Sequence, residues 1–283
     1  MSSPFALTVL ALRNVGYDIA EQLGFDDLTE ALAVSIFDNG PDTVSVQALY
    51  EGEAEAKMAR NQLPPELEAS VAQLPDTDWV GLSQSGLPPI HAGRFVVHGS
   101  HDAPNVDGKT PILVDAGQAF GTGHHGTTKG CLLMLDALEA EGRQPTSILD
   151  LGTGAGILAI AAAKLWPTAD LLATDIDPIA VDVADQNAEL NDTQFDSLAA
   201  DGFHAPQLKG LQFDLIIANI LAGPLRELAP DIESAMKPGA IAVLSGILDE
   251  QAEWVAEAFR ACGLSVMTKP SLDGWTSLLA TRV

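Results

Sequence analysis

Three glycines alternate with other residues in Asp150-Leu-Gly152-Thr-Gly154-Ala-Gly156, and Asp175 lies 19 residues past the last of them. A short apolar run (Ile148, Leu149, Leu151) leads into the glycines, a helical stretch from Ile157 to Leu165 follows, and a second apolar run, Leu171 to Ala173, leads to Asp175. This is the pattern of a βαβ unit that binds a nucleoside. Glycines let the backbone approach the ligand, and an acid at the end of the next strand accepts the ribose hydroxyls. Dinucleotide enzymes favour G-x-G-x-x-G, in which a helix N-terminus holds a pyrophosphate. Here the spacing is G-x-G-x-G with Asp150 just before it, and an acid there repels a pyrophosphate but suits a cationic ligand such as S-adenosylmethionine. Taken alone, the glycines also fit an ordinary turn.

Ala119-Phe120-Gly121-Thr122-Gly123-His124-His125-Gly126-Thr127-Thr128 stands before a helical pattern. Flexible backbone and small hydroxyls at a helix N-terminus suit a carboxylate, such as a methionyl tail, and equally suit a plain capped helix. The apolar run from Asp214 ends in Asn219. At the carboxyl edge of a sheet its amide can accept a hydrogen from an amine and aim the lone pair, or it can cap the next helix. Asp201-Gly202 can reach the exocyclic amine of an adenine or be a plain turn. In Asp175-Ile-Asp-Pro178 the ribose falls to Asp175, an adenine face to Ile176, and capping of the helix opened by Pro178 to Asp177. No metal site is expected: His124 and His125 are adjacent, and His91, His98 and His101 are scattered without partners at ligand spacing.

These residues need a sheet to present them. The 283 residues exceed the usual single core, so two domains are expected, with a connection over about 83–111 rich in Gly and Pro. Residues 1–82 alternate as β-α-β-β-α-β, a small ferredoxin-like α+β unit. Its strands fall at Phe5–Leu12, Leu32–Phe37 and Val44–Tyr50, its helices at Val15–Leu23 and from Pro65 to Leu74, and Trp79-Val80 closes it. Asp38-Asn39-Gly40-Pro41 marks a hairpin. Residues 112–283 read as a Rossmann-like α/β domain. Its last two strands, Leu264–Thr268 and Trp275–Ala280, have no helix between them and should add an antiparallel hairpin to an otherwise parallel sheet.

The chain carries 39 acidic against 14 basic residues, net −25. Such a surface repels phosphate backbones and attracts a basic protein; direct nucleic-acid binding is not expected. No apolar stretch is long enough to span a membrane. The apolar run Phe5–Leu12 lacks the preceding basic residues of a signal peptide, and Cys131 and Cys262 make no metal or disulfide pattern, which points to a cytoplasmic protein with free thiols.

In Ala119–Thr128, Asp150–Ile160, Asp175–Pro178 and Ala218-Asn-Ile-Leu221 the chain resembles the ribosomal protein L-eleven methyltransferases. The likeness covers about residues 90–283 well and the N-terminal part mainly in size and element order. It implies a seven-stranded class I methyltransferase domain behind a small substrate-recognition domain. It implies methyl transfer from S-adenosylmethionine, leaving S-adenosylhomocysteine, to lysine ε-amines and the terminal α-amine of that basic protein. Carried over by motif, the family's donor-binding positions fall on Thr128, Gly152, Asp175 and Asn219. The residue reading adds Phe120, Thr122, Asp150, Gly154, Gly156, Ile176 and Asp201 for the donor and gives Asn219 the amine. Other protein or small-amine methylation, or a non-catalytic donor-binding assembly factor, are the rival functions.

Overall fold

The computed structural model describes residues 4–24, 31–38, 43–73, 89–100, 106, 108–114 and 125–283. The chain divides into two compact units, Met1–Trp79 and Val80–Val283.

The first unit runs β1 (Phe5–Leu12), α1 (Arg13–Gly24), β2 (Ala33–Asp38), β3 (Thr43–Tyr50), α2 (Glu53–Gln62) and β4 (Glu68–Gln73). The sheet order is β2-β3-β1-β4 and every neighbouring pair is antiparallel, as a ferredoxin-like sandwich requires. Strict alternation on β3 sends Val44, Val46, Ala48 and Tyr50 inward, where Leu7 and Val9 of β1 meet Ile19 and Leu23 of α1 and Ala56 and Ala59 of α2.

The second half of this unit departs from the sequence reading. The helix expected at Pro65–Leu74 lies upstream, over Glu53–Gln62, with Glu53 and Glu55 in its first turn and Arg60 in its last. Pro64-Pro65 ends it, and the Arg60 guanidinium donates to the carbonyls of Pro64, Pro65 and Leu67 across that turn. Residues 68–73 then pair antiparallel with β1, Leu10 opposite Glu68 and Phe5 opposite Gln73. Tertiary pairing overrides the local pattern because β1 needs a partner on that side. The turn residues 39–42 and Trp79-Val80 lie outside the described residues.

The second unit opens with β5 (Ile90–Ala92), β6 (Phe95–His98) and β7 (Thr110–Leu113), a three-stranded sheet within the stretch read as a connection. Phe95, Val97 and Ile112 are buried in one core with Leu132 and Leu135 of α3 (His125–Ala140). Arg94 ties the β5–β6 turn to the same helix through Asp136 and Glu139.

Then come β8 (Ser147–Leu151), α4 (Ile157–Leu165), β9 (Asp170–Asp175), α5 (Pro178–Leu190), β10 (Asp196–Ala199), β11 (Phe213–Asn219), α6 (Ala222–Glu227), α7 (Ala229–Ala235), β12 (Met236–Leu248), α8 (Ala252–Ala261), β13 (Ser265–Thr268) and β14 (Trp275–Thr281). The sheet order is β10-β9-β8-β11-β12-β14-β13. Strands β8 to β12 pair in parallel and β14 runs antiparallel to both its neighbours, as expected from the missing helix. The single helix expected after Asn219 is two short ones that meet at Leu228, where Pro230 sits in the first turn of α7. Successive strand residues feed opposite faces: Ile148, Leu215 and Ile217 pack under α3 and α4, while Leu149, Ile216 and Ala218 pack under α6 to α8. Among the described residues no helix is long and apolar enough to cross a membrane.

Asp214 locks the amino edge of this sheet. Its Oδ2 accepts from Thr146 N (2.9 Å) and Oγ1 (2.7 Å), from Ser147 N (3.0 Å) and Oγ (3.0 Å), and from Lys237 Nζ (3.1 Å). Burial works to raise the pKa of this carboxyl, but the hydrogen bonds from Thr146, Lys237 and Ser147 outweigh it and hold the group well below the usual carboxylate range.

Asp214→Asn is expected to lower stability at pH 7 by about 1–2 kcal/mol, because the amide accepts without the charge. A depressed folded pKa stabilises fully above the unfolded value of about 4, and that contribution fades as pH falls towards the folded value. Urea melts of the two proteins should therefore converge below about pH 4. A gap independent of pH would show that the charge contributes nothing.

Candidate active site

The carboxyl edge of the seven-stranded sheet collects the residues singled out by type and spacing. In the parallel register Leu151 lies beside Thr174 on one side and Ala218 on the other, Ala199 lies beside Asp175, and Asn219 beside Ser245. The glycine turn, Asp175, Asp201 and Asn219 thus follow the ends of four adjacent strands.

The turn after β8 is built from backbone. Gly152, Gly154 and Gly156 have φ of 73°, 53° and 80°, a region that side chains disfavour. A Cβ on Gly152 would stand 2.3 Å from Ile220 Cγ2, and one on Gly156 would stand 3.0 Å from Ala184 Cβ on α5. The Thr174 carbonyl accepts from Gly152 N (2.8 Å) and Thr153 N (2.9 Å), and Asp175 Oδ2 accepts from Gly154 N (2.8 Å). The other oxygen, Oδ1, accepts from Asp177 N at 3.0 Å. Among the described residues one lone pair remains on each oxygen of the Asp175 carboxylate. The helix cap falls to Asp177, whose Oδ1 accepts from Ile179 N at 2.8 Å. Ile176 next to it is 70% exposed, an uncovered apolar side chain at the rim.

Asp150 is buried at 1% exposure. Its Oδ2 accepts from Thr153 Oγ1 (2.7 Å) and from Ala159 N (3.0 Å) in the first turn of α4, so one oxygen joins turn and helix. Its Oδ1 is buried and has no partner among the described residues. Burial pushes this carboxyl up to about 7 against the pull of the Thr153 and Ala159 bonds, with Asp175 adding to the rise. An uncompensated buried acceptor beneath a turn in which three of five residues lack a Cβ fits a polar or cationic ligand at that edge.

Asn219 ends β11 half-buried. The helix that follows has Leu221 at its N-cap and no side-chain cap bond, so Asn219 does not cap it. Asp201 stands just past β10, exposed, with its carbonyl accepting from His204 N at 3.0 Å. Thr127 and Thr128 are buried in the first turn of α3. Phe120 and Thr122 lie outside the described residues. Cys131 on α3 is buried, and desolvation pushes its thiol up to about 12 despite the nearby Ser245 hydroxyl.

Sequence reading missed the far wall of this edge. The apolar run Ala240–Leu244 reads as a strand that stops before Ser245-Gly246, but β12 runs on to Leu248. Ser245 and Gly246 together oppose the single Ser277 of β14, a β-bulge. The available signal was a Ser-Gly pair interrupting an apolar strand, which marks a bulge as well as a strand end.

Residues 19–283 match the family model described as Ribosomal protein L11 methyltransferase (PrmA). A ribosomal protein L11 methyltransferase of Brucella abortus (strain S19) is 44% identical over 271 residues, 94% of either chain. One of the same name from Bradyrhizobium diazoefficiens is 50% identical over 213 residues, 73% of this chain and 70% of that one. Among solved structures, a ribosomal protein L11 methylase from Lactobacillus delbrueckii subsp. bulgaricus shares the fold with a TM-score of 0.61 at 29% identity, covering 69% of this chain and 98% of that one. With the family model spanning the whole second unit and relatives this similar along nearly all of its length, the chain belongs to the ribosomal protein L11 methyltransferase family.

Proposed function

We propose that this chain transfers methyl groups from S-adenosylmethionine to lysine ε-amines, and the terminal α-amine, of the large-subunit ribosomal protein L11. The observation that carries the reading is the convergence of the glycine turn, Asp175 and an Asn219 free of capping duty on one sheet edge, in a chain of this family.

The residues fit the donor as follows. The Gly152–Gly156 backbone cradles it, Asp175 offers its remaining lone pairs to the ribose hydroxyls, and Ile176 covers one adenine face. Asp201 takes the exocyclic amine. Thr128, with Phe120 and Thr122, meets the methionyl carboxylate, and Asp150 supplies negative charge beneath the cationic part. Bound there, the donor supplies an activated methyl group on a sulfonium.

The chain's part in the chemistry is placement. Free lysine has a pKa of about 10.4, so its ammonium must lose a proton before it can attack. Removal of the amine from water favours the neutral form. Asn219 then accepts one N–H through its amide oxygen and aims the lone pair at the methyl carbon, so that rate arises mainly from alignment. Residues 1–82 serve recognition of the protein substrate. The net charge of −25 attracts a lysine-rich partner and repels nucleic acid. Free thiols and a ribosomal substrate are in keeping with a cytoplasmic protein.

Incubation with labelled donor and purified ribosomal proteins, followed by mass spectrometry, should give L11 as the labelled chain, modified on amines. Label confined to another protein, or none, would remove the assignment.

Asp150→Asn keeps an acceptor for Thr153 and Ala159 and removes the charge. A carboxyl with a folded pKa of about 7 holds its proton more tightly folded than unfolded, so its contribution to stability declines as pH rises from about 4 to 7. The variant escapes that decline: at pH 8 it should melt no lower than wild type, yet bind S-adenosylmethionine, the sulfonium cation, about tenfold more weakly. Equal affinity by calorimetry would free Asp150 of any ligand role.

Asn219→Ala should lower kcat about tenfold more than it lowers donor affinity, because its interaction matters most in the transition state. Its melting temperature should change little, since no helix cap is lost. A folded variant with normal kcat would leave the amine without a partner.

A further inference from the structure

Two neighbours of the candidate site meet at one feature that the reading above does not use. The bulge in β12 places Ser245 and Gly246 opposite Ser277, between the pairs Leu244–Leu278 and Ile247–Thr276. Each of its two residues faces a different part of the site.

Ser245 is fully buried. Its hydroxyl lies 2.9 Å from Ser277 Oγ and donates to the Thr127 carbonyl at 3.4 Å, in the first turn of α3. That turn has been allowed to come close. A Cβ on Gly126 would stand 2.6 Å from the Leu272 carbonyl oxygen, and one on Gly130 would stand 2.6 Å from Ser277 Oγ. The helix start that carries Thr128 is therefore seated on the bulge and on β14.

Gly246 has φ of 84°. A Cβ there would stand 2.0 Å from the Ile220 carbonyl oxygen and 2.7 Å from its carbonyl carbon. Gly152 makes the matching approach from the other side, against Ile220 Cγ2. Since β11 lies between β8 and β12, the residue directly after Asn219 is gripped between two glycines at positive φ, its backbone by one and its side chain by the other. No other residue type fits at 246 without moving the Asn219 loop.

We propose that the Ser245–Gly246 bulge is a positioning element that holds the first turn of α3 and the Asn219 loop in one register, so that donor and amine meet in line. The proposal rests on the reading of Thr128 as a donor contact and Asn219 as the amine's partner. A looser first turn of α3 costs donor affinity, whereas displacement of the Asn219 loop by about 1 Å costs on the order of a hundredfold in rate. Ser245, Gly246 and Ile220 touch neither reactant in this account and act through Thr128 and Asn219.

The test pairs S-adenosylhomocysteine calorimetry with steady-state kinetics on L11 for Ser245→Ala and Ile220→Ala, both of which delete atoms without creating a clash. Ser245→Ala should weaken binding of the analogue about 3- to 10-fold, the worth of one hydrogen bond, with kcat at saturating donor little changed. Ile220→Ala should do the reverse: affinity near wild type and kcat down about tenfold or more. Gly246→Ala, if it folds, should follow Ile220→Ala with a larger loss of kcat. Thermal melts accompany each variant, because a purely structural bulge lowers the melting temperature and leaves both affinity and kcat at wild-type values. That result, or the same change in affinity and kcat from both variants, overturns the proposal. Wild type that binds no S-adenosylhomocysteine defeats the donor reading and the bulge assignment with it. Wild type that binds it but does not methylate L11 defeats only the substrate, and the Ser245→Ala affinity arm still decides the bulge.

Discussion

The second unit depends on a chain that must turn after Leu151 in a space too small for a side chain. The turn lies at the end of β8, an interior strand between β9 and β11, so both adjacent strands close on it. From β9 the Thr174 carbonyl and the Asp175 carboxylate take three of its amides, and from β11 Ile220 presses on Gly152. Beneath it α5 passes within van der Waals reach of Gly156, and Asn187 of that helix donates to the Ala155 carbonyl at 2.8 Å. Once three alternate positions, Gly152, Gly154 and Gly156, are committed to positive φ, the groups around the turn have nowhere else to go. Asp175 and Asn219 are brought to opposite flanks of one sheet edge as a consequence.

Two aspartates show how differently the two edges of the sheet are treated. At the amino edge, Asp214 offers one oxygen to five donors and is stabilised as an anion. At the carboxyl edge, Asp150 is sealed from water with one oxygen unmatched among the described residues and is disfavoured as an anion. The first arrangement is what folding alone would select. The second retains an unfavourable group where a ligand can relieve it, a common trade of stability for function.

Much of the second unit was legible because its signals are local. The G-x-G-x-G spacing fixed a turn between strand and helix, Asp177-Pro178 fixed a helix start, and the absence of a helix between the last two strands fixed the antiparallel β14. What escaped depended on distant partners. Glu66 to Gln73 has a helical composition but becomes a strand, because β1 lies open on that side. The connection at 83–111 showed one strand-like run, Arg94 to His98, which is β6, but its pairing with β5 and β7 and the seating of Phe95 and Val97 against α3, some forty residues on, were not visible. Ser245 and Gly246 looked like the end of a strand, since a bulge becomes visible only when the strand across from it is known. For Asn219 the two sequence readings were balanced, and the uncapped start of α6 removed one of them.

The antiparallel insertion of β14 also bears on the order in which a growing chain can fold. Translation delivers β12 well before β14, although β14 is the strand that pairs with its outer side. Until then a long, apolar strand stands with one hydrogen-bonding edge open, the kind of surface that invites mispairing between nascent chains. The bulge has no Ser277 to oppose it during that interval, and the first turn of α3 has no floor. The carboxyl edge of the sheet is thus among the last parts of the molecule to set, and an intermediate lacking β14 would hold most of its core while the bulge and the first turn of α3 are still unset.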